Sequence, residues 1–184
     1  DERFVPPDDP RSNERMVRQA WLDHVPIPPT NVHPIPTGGT PEEAAQAYEA
    51  LLRQRFGDGV FTFDLALMGL GPDAHTASLF PHSPLLAEHG RWVVPTWTDA
   101  HEVPQRVTLT VPVFNASRRV VFLVAGADKA EALRRALAED KDALLNAEGE
   151  AFQAGDAHAV PARLIRPTHG HLDWWVDEAA AESS

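Results

Sequence analysis

Apolar positions along the chain follow two rhythms. Short, nearly unbroken runs stand at FTFDLALMG (61–69), WVVP (92–95), RVTLT (106–110), RRVVFLVAG (118–126) and HLDWWV (171–176). Runs of that length, bounded by Gly, Pro or charged residues, predict buried strands, and RRVVFLVAG does so most clearly. Elsewhere the apolar positions recur every three or four residues. Met16, Val17, Ala20, Trp21 and Val25 do so in NERMVRQAWLDHV, and Ala132, Leu133, Ala136 and Leu137 do so in ADKAEALRRALAED. That spacing is one face of a helix.

Several helix starts are marked. Thr40 stands at an N-cap, Pro41 at the first helical position, and Glu43 completes a capping box. The preceding Gly38–Gly39 pair has the look of a phosphate loop, but a turn into a capped surface helix explains every residue there. Ser12 caps its helix with Arg15 where the carboxylate would stand, so only half of the box is present. VPIPPTNVHPIP holds at most a short strand at Val32–Ile35. VPVFNAS reads as a short helix after RVTLT, PARLI as a short segment, DEAAAE as a terminal helix, and residues 140–160 as loop. A further helix is expected from about Ala74.

Strands alternating with helices predict an α/β fold, with a largely parallel sheet covered on both faces. No internal repeat or long linker divides residues 1–184, so one domain is expected. The chain opens on DERFVPP, which reads as the exit from an element. The coding sequence is therefore expected to extend upstream, leaving the domain N-terminally incomplete.

Composition narrows the function classes. Asp and Glu outnumber Lys and Arg by 27 to 16, a net charge of -11, which disfavours nucleic acid and anionic membranes as partners. No apolar run approaches the length that spans a bilayer. The absence of cysteine removes disulfides, thiolate metal sites and cysteine nucleophiles, and is compatible with a cytoplasmic compartment.

Chemistry gathers where GLGPDAHTASLFP (69–81) leaves a strand. In parallel sheets the ligand crevice lies at the carboxyl ends of the strands. Gly69 and Gly71 would let the chain turn sharply and a ligand approach closely. A following helix N-terminus would offer N–H groups to an oxyanion. A histidine side chain can take and return a proton near neutrality, and Asp73 could fix the tautomer of His75; the bland reading is a histidine that hydrogen-bonds its own loop. Lys129 opposes the dipole of the helix that it starts, which a phosphate ligand would explain and a surface position would also allow. Arg106, opening RVTLT, is either a phosphate fork or a solvated strand end.

Other motifs carry less. His169 and His171 straddle a glycine, and Asp156 stands near His158, but no third ligand falls at metal spacing. There is no GxSxG elbow, and Ser78 falls in the expected helix. GLGPDA lacks the third glycine of a dinucleotide fingerprint. Trp174–Trp175 reads as packing in the closing strand.

The blocks DERFVP with Ser12–Asn13, GLGPDAHTASLFP, RVTLT, VAGADKAEAL, PARLI and LDWWVD, in that order, resemble the 6-phosphogluconolactonases across essentially the whole chain. The resemblance implies a modified Rossmann-like fold lacking its N-terminal strands here, and hydrolysis of a sugar-phosphate lactone without metal or other cofactor. It implies His75 as general base with Asp73 beside it, Arg106 and Lys129 on the phosphate, and Arg3 as a substrate contact. Asp1, Asn13, Gly69 and Gly71 fall in the same motif positions. A cytoplasmic monomer or weak homo-oligomer is expected. The family commonly has glycine where this chain has Ala74. The related glucosamine-6-phosphate deaminases share the Asp-x-His loop but carry a glutamate five residues after the histidine, where this chain has Phe80. The remaining alternative is an inactive fragment.

Overall fold

Two three-stranded sheets organise the chain in the computed structural model, which describes residues 1–57, 59, 62–138 and 156–182. In chain order the elements are β1 (Glu2–Arg3), α1 (Asn13–Ala20), α2 (Pro41–Phe56), β2 (Ala66–Gly69), β3 (Val93–Trp97), β4 (Gln105–Leu109), α3 (Val111–Asn115), β5 (Arg119–Val124), α4 (Ala130–Leu137), β6 (His171–Val176) and α5 (Glu178–Ala181). They fall into two compact units, Asp1–Gly59 with Gly90–Leu109, and Val60–His89 with Thr110–Ser184.

The first unit holds an antiparallel sheet in the order β1-β4-β3. Helix α2 packs on β3 and β4 and buries Ala44, Ala45 and Leu52. Its start matches the sequence reading: Thr40 accepts from the Glu43 N–H, and the Glu43 carboxylate returns to the Thr40 N–H. Glu49 of α2 then accepts from the N–H groups of Trp92 (2.9 Å) and Val93 (3.1 Å), tying the helix to the start of β3.

Helix α1 gains a cap that local sequence did not contain. The buried carboxylate of Glu2 accepts from the N–H groups of Asn13 and Glu14, each at 2.7 Å, while Ser12 accepts from Arg15. Glu2 thus satisfies two donors that a helix start leaves unpaired, while the Ser12 N–H that a capping-box carboxylate would take donates to the Asp9 carbonyl at 3.0 Å. The helix stops at Ala20, short of the expected Val25. Leu22–His24 form a 3₁₀ turn whose His24 ring contacts the Gln19 carbonyl at 2.9 Å.

The second unit holds the parallel sheet, in the order β2-β5-β6. Ala66, Met68, Val120, Phe122 and Val124 are buried, as are Ala132 and Leu133 of α4. Phe122 stacks on Trp174 with centroids 4.0 Å apart. Its neighbour Trp175 is instead exposed with Leu67 and Leu123, so only the first tryptophan of the pair packs as expected. The C-terminal end of β5 is held by Asp177, whose carboxylate accepts from Gly126 (3.1 Å) and caps α5 through Ala180 (2.8 Å).

Three expectations change. Val32–Ile35 is not a strand, because Pro34 and Pro36 cannot donate to a ladder. The run 61–69 pairs only over Ala66–Gly69; upstream, the Phe63 carbonyl and the Asp64 carboxylate both engage Arg118, and Phe61 lies outside the described residues. Half of the strands are antiparallel, because β1 returns to pair with β4 from about a hundred residues away in sequence, a pairing no local pattern announces. The loop expected at 140–160 lies mostly outside the described residues.

Glu2→Ala should destabilise the fold by about 1–3 kcal/mol, because it removes the acceptor of the half-buried Asn13 and Glu14 N–H groups and of the Ser12 hydroxyl. Thr40→Ala should cost only about 1 kcal/mol, the usual loss of a cap. Urea unfolding of the two variants tests that order.

Candidate active site

The chain leaves β2 at Gly69 and turns without forming a helix. Ala74 (φ 66°), Ala77 (φ 50°) and His82 (φ 60°) adopt the left-handed conformation. A right-handed helix cannot pass through such residues, so the helix expected from Ala74 is absent and Ser78 sits in a turn. The loop closes on itself instead. Gly71 N–H donates to the His75 carbonyl (2.8 Å), Ala74 N–H to Gly71 (2.9 Å), and the Thr76 hydroxyl to the Gly69 carbonyl (2.8 Å). Ala162 N–H donates to the Ala74 carbonyl at 3.2 Å, joining the loop to the PARL turn. The N–H groups of Gly71, Ala74 and His75 are therefore engaged within the loop, which offers no helix N-terminus of its own to an oxyanion.

Asp73 and His75 form the centre of this loop. Asp73 Oδ1 accepts from the His75 N–H at 3.1 Å and lies 2.5 Å from His75 Nδ1. Burial alone would raise Asp73, but the side-chain and backbone hydrogen bonds from His75 outweigh it and hold the carboxyl at about 2, below its usual 3.8. An ionised carboxylate only accepts, so the proton between them belongs to Nδ1 and the basic lone pair of a neutral imidazole belongs to Nε2. The half-buried histidine is thus fixed in the tautomer that suits a base.

Gly71 opens a tight turn closed by the Ala74 N–H, but neither Gly69 nor Gly71 has the left-handed φ that would call for glycine. A side chain at Gly69 would meet nothing among the described residues, which leaves the room that a ligand would use. Lys129 follows β5 at the same end of the parallel sheet as this loop, closing a 3₁₀ turn (Ala127–Lys129) before α4. Its ammonium pairs with Asp128 at 3.0 Å, so a carboxylate already offsets part of its conflict with the helix dipole.

The remaining candidates lie in the first unit. Arg3 and Arg106 stand directly opposite in the β1–β4 register, and Arg106 is buried with its Nε donating to the Val103 carbonyl at 3.2 Å. Burial, then the Arg3 charge, push the Arg106 guanidinium down from its usual value, with Glu2 opposing. Like charges directly opposite in a ladder destabilise it, so this placement favours an anion. Arg106 is not a solvated strand end. Asn13 donates from Nδ2 to the Asp1 carbonyl at 3.1 Å, a contact that stiffens the start of the chain. Glu2 and Thr76 were not singled out from sequence; their signals were the acid beside Arg3 and the hydroxyl beside His75.

The parallel sheet and the helices that follow its strands make the second unit a Rossmann-like α/β fold. Residues 1–174 match the family of glucosamine-6-phosphate isomerases/6-phosphogluconolactonase, and the chain belongs to that family. It is 45% identical over 188 residues to a 6-phosphogluconolactonase of Synechocystis, covering 100% of this chain and 70% of that protein. It is 42% identical to a 6-phosphogluconolactonase of Homo sapiens, covering 98% of this chain and 65% of the human one. The solved structure of a 6-phosphogluconolactonase from Trypanosoma cruzi superposes with a TM-score of 0.77 at 28% identity, over 98% of this chain and 69% of that one. The chain thus spans about two thirds of these relatives. No helix among the described residues is long and apolar enough to cross a membrane.

Two predictions follow the loop geometry. Because Asp73 is depressed from 3.8 to about 2, the stability from its contact is present above pH 3.8 and lost as pH falls through about 2. The gap in urea midpoint between the wild type and Asp73→Asn should close over that window. At Ala74, relief of a left-handed alanine, about 1 kcal/mol, is set against the loss of a fully buried methyl, about 0.8 kcal/mol. Ala74→Gly should therefore be nearly neutral, whereas Ala74→Val should cost about 2–3 kcal/mol by overpacking.

Proposed function

We propose that the chain hydrolyses 6-phospho-D-glucono-1,5-lactone to 6-phosphogluconate, with His75 as general base. The observation that carries this reading is the Asp73 carboxyl 2.5 Å from His75 Nδ1, at the carboxyl end of a parallel strand, in a chain whose relatives are named as 6-phosphogluconolactonases. A δ-lactone is an ester, and its opening needs a deprotonated water, a stabilised oxyanion and a proton for the leaving oxygen. His75 Nε2 takes a proton from water as its oxygen bonds to C1. The tetrahedral intermediate then collapses, the bond from C1 to the ring oxygen breaks, and the imidazolium returns the proton to that oxygen. Asp73 stabilises the transient imidazolium. Since the N–H groups of Gly71, Ala74 and His75 are engaged, the oxyanion is assigned to a cation or to other backbone donors.

Arg106, Arg3 and Lys129 are the groups for the phosphate, converting remote binding into orientation. The reaction needs no metal in this reading, because the base is generated at neutral pH by the imidazole. Phe80, where the deaminases carry a glutamate, supplies no second acid or base and separates the reading from sugar-phosphate isomerisation.

His75→Ala should lower kcat by about 100- to 10,000-fold with KM little changed, whereas Lys129→Ala should chiefly raise KM. Turnover of freshly made lactone, corrected for spontaneous hydrolysis, measures both, and a chelator should leave the wild-type rate unchanged. Full activity of a purified His75→Ala protein removes the base assignment. A wild-type rate no better than buffer favours an inactive fragment.

A further inference from the structure

The space that a side chain at Gly71 would fill is occupied by the imidazole of His75. A Cβ built there would stand well inside contact distance of Nδ1 and Cε1, and 2.8 Å from Asp73 Oδ1. The backbone at Gly71 does not have the left-handed φ that would otherwise call for glycine. The Phe80 ring also lies against the imidazole, with centroids 5.0 Å apart and planes inclined at 45°, and Phe80 itself is 6% exposed.

We infer that Gly71 and Phe80 are positioning residues for His75, confining its ring to the orientation in which Nδ1 meets Asp73. A histidine ring has two broad orientations about χ2, and a half-turn would bring a carbon where Nδ1 should be. The Asp73 contact resists that turn, but its side chain is 39% exposed and water competes for it. Packing on Gly71 and Phe80 holds the ring by shape, which water does not weaken. The inference rests on His75 as the base, and its role is orientation rather than contact with substrate.

The test compares Gly71→Ala, Phe80→Leu and Phe80→Tyr with the wild type, by lactone turnover and by long-range proton–nitrogen NMR of the His75 ring. Gly71→Ala should lower kcat on the order of 100-fold with KM unchanged, as a small misplacement of a catalytic group does. Phe80→Leu should lower it about tenfold, and Phe80→Tyr, which keeps the ring, should restore it. The NMR spectrum should show the Nδ1–H tautomer in the wild type and Phe80→Tyr, and a mixture in the other two. A folded Gly71→Ala or Phe80→Leu with wild-type kcat and tautomer overturns the inference. If Gly71→Ala does not fold, the two Phe80 variants decide. If the wild type fails to hydrolyse lactone, the proposed reaction falls, and the tautomer comparison still decides the positioning role.

Discussion

The contact between Asp73 and His75 Nδ1 sets the chemistry of the second unit. It does two things that a lone histidine at a strand end could not. It fixes which nitrogen carries the proton, and it would keep a negative charge beside the ring in the base role proposed for His75. Asp73 can do this because the His75 hydrogen bonds more than offset its burial and keep it ionised far below neutrality. The loop around it is arranged so that the donors of Gly71, Ala74 and His75 are spent on its own shape.

The first unit states a complementary constraint. Placing Arg3 opposite Arg106 in one ladder, with Arg106 buried, is unfavourable unless negative charge compensates. Alternation along β1 sends Glu2 to the opposite face, where its carboxylate is committed to the start of α1. Glu2 therefore opposes the repulsion only at a distance. A ladder position that is costly as structure supports the phosphate-binding role proposed for it.

What could be read from sequence divides by the range of the forces involved. RRVVFLVAG declares β5 because a continuous apolar run is decisive by itself, and Thr40, Pro41 and Glu43 declare α2 because capping is local. Asp73 and His75 were legible as chemistry out of place in a connector. The shape of their loop was not, because alanine at 74 and 77 favours helix, and only tertiary contact imposes the left-handed backbone. The pairing of β1 with β4, and the Glu2 cap on α1, join residues far apart in sequence and leave no local trace. Gly71 was read as room for a ligand, whereas its missing side chain makes room for the protein's own imidazole.

The left-handed residues also explain why the loop can be both strained and stable. A buried alanine at φ 66° gives up about 1 kcal/mol against a helical one. Its N–H and carbonyl are both satisfied, by Gly71 and Ala162, and its methyl is fully enclosed. Those gains are lost if the segment relaxes to a helix, since the Ala162 bond and the Thr76 bond to Gly69 both depend on the reversed backbone. The histidine is therefore oriented by a backbone that has one well-packed conformation, and the cost of that conformation is met by contacts outside the reacting pair.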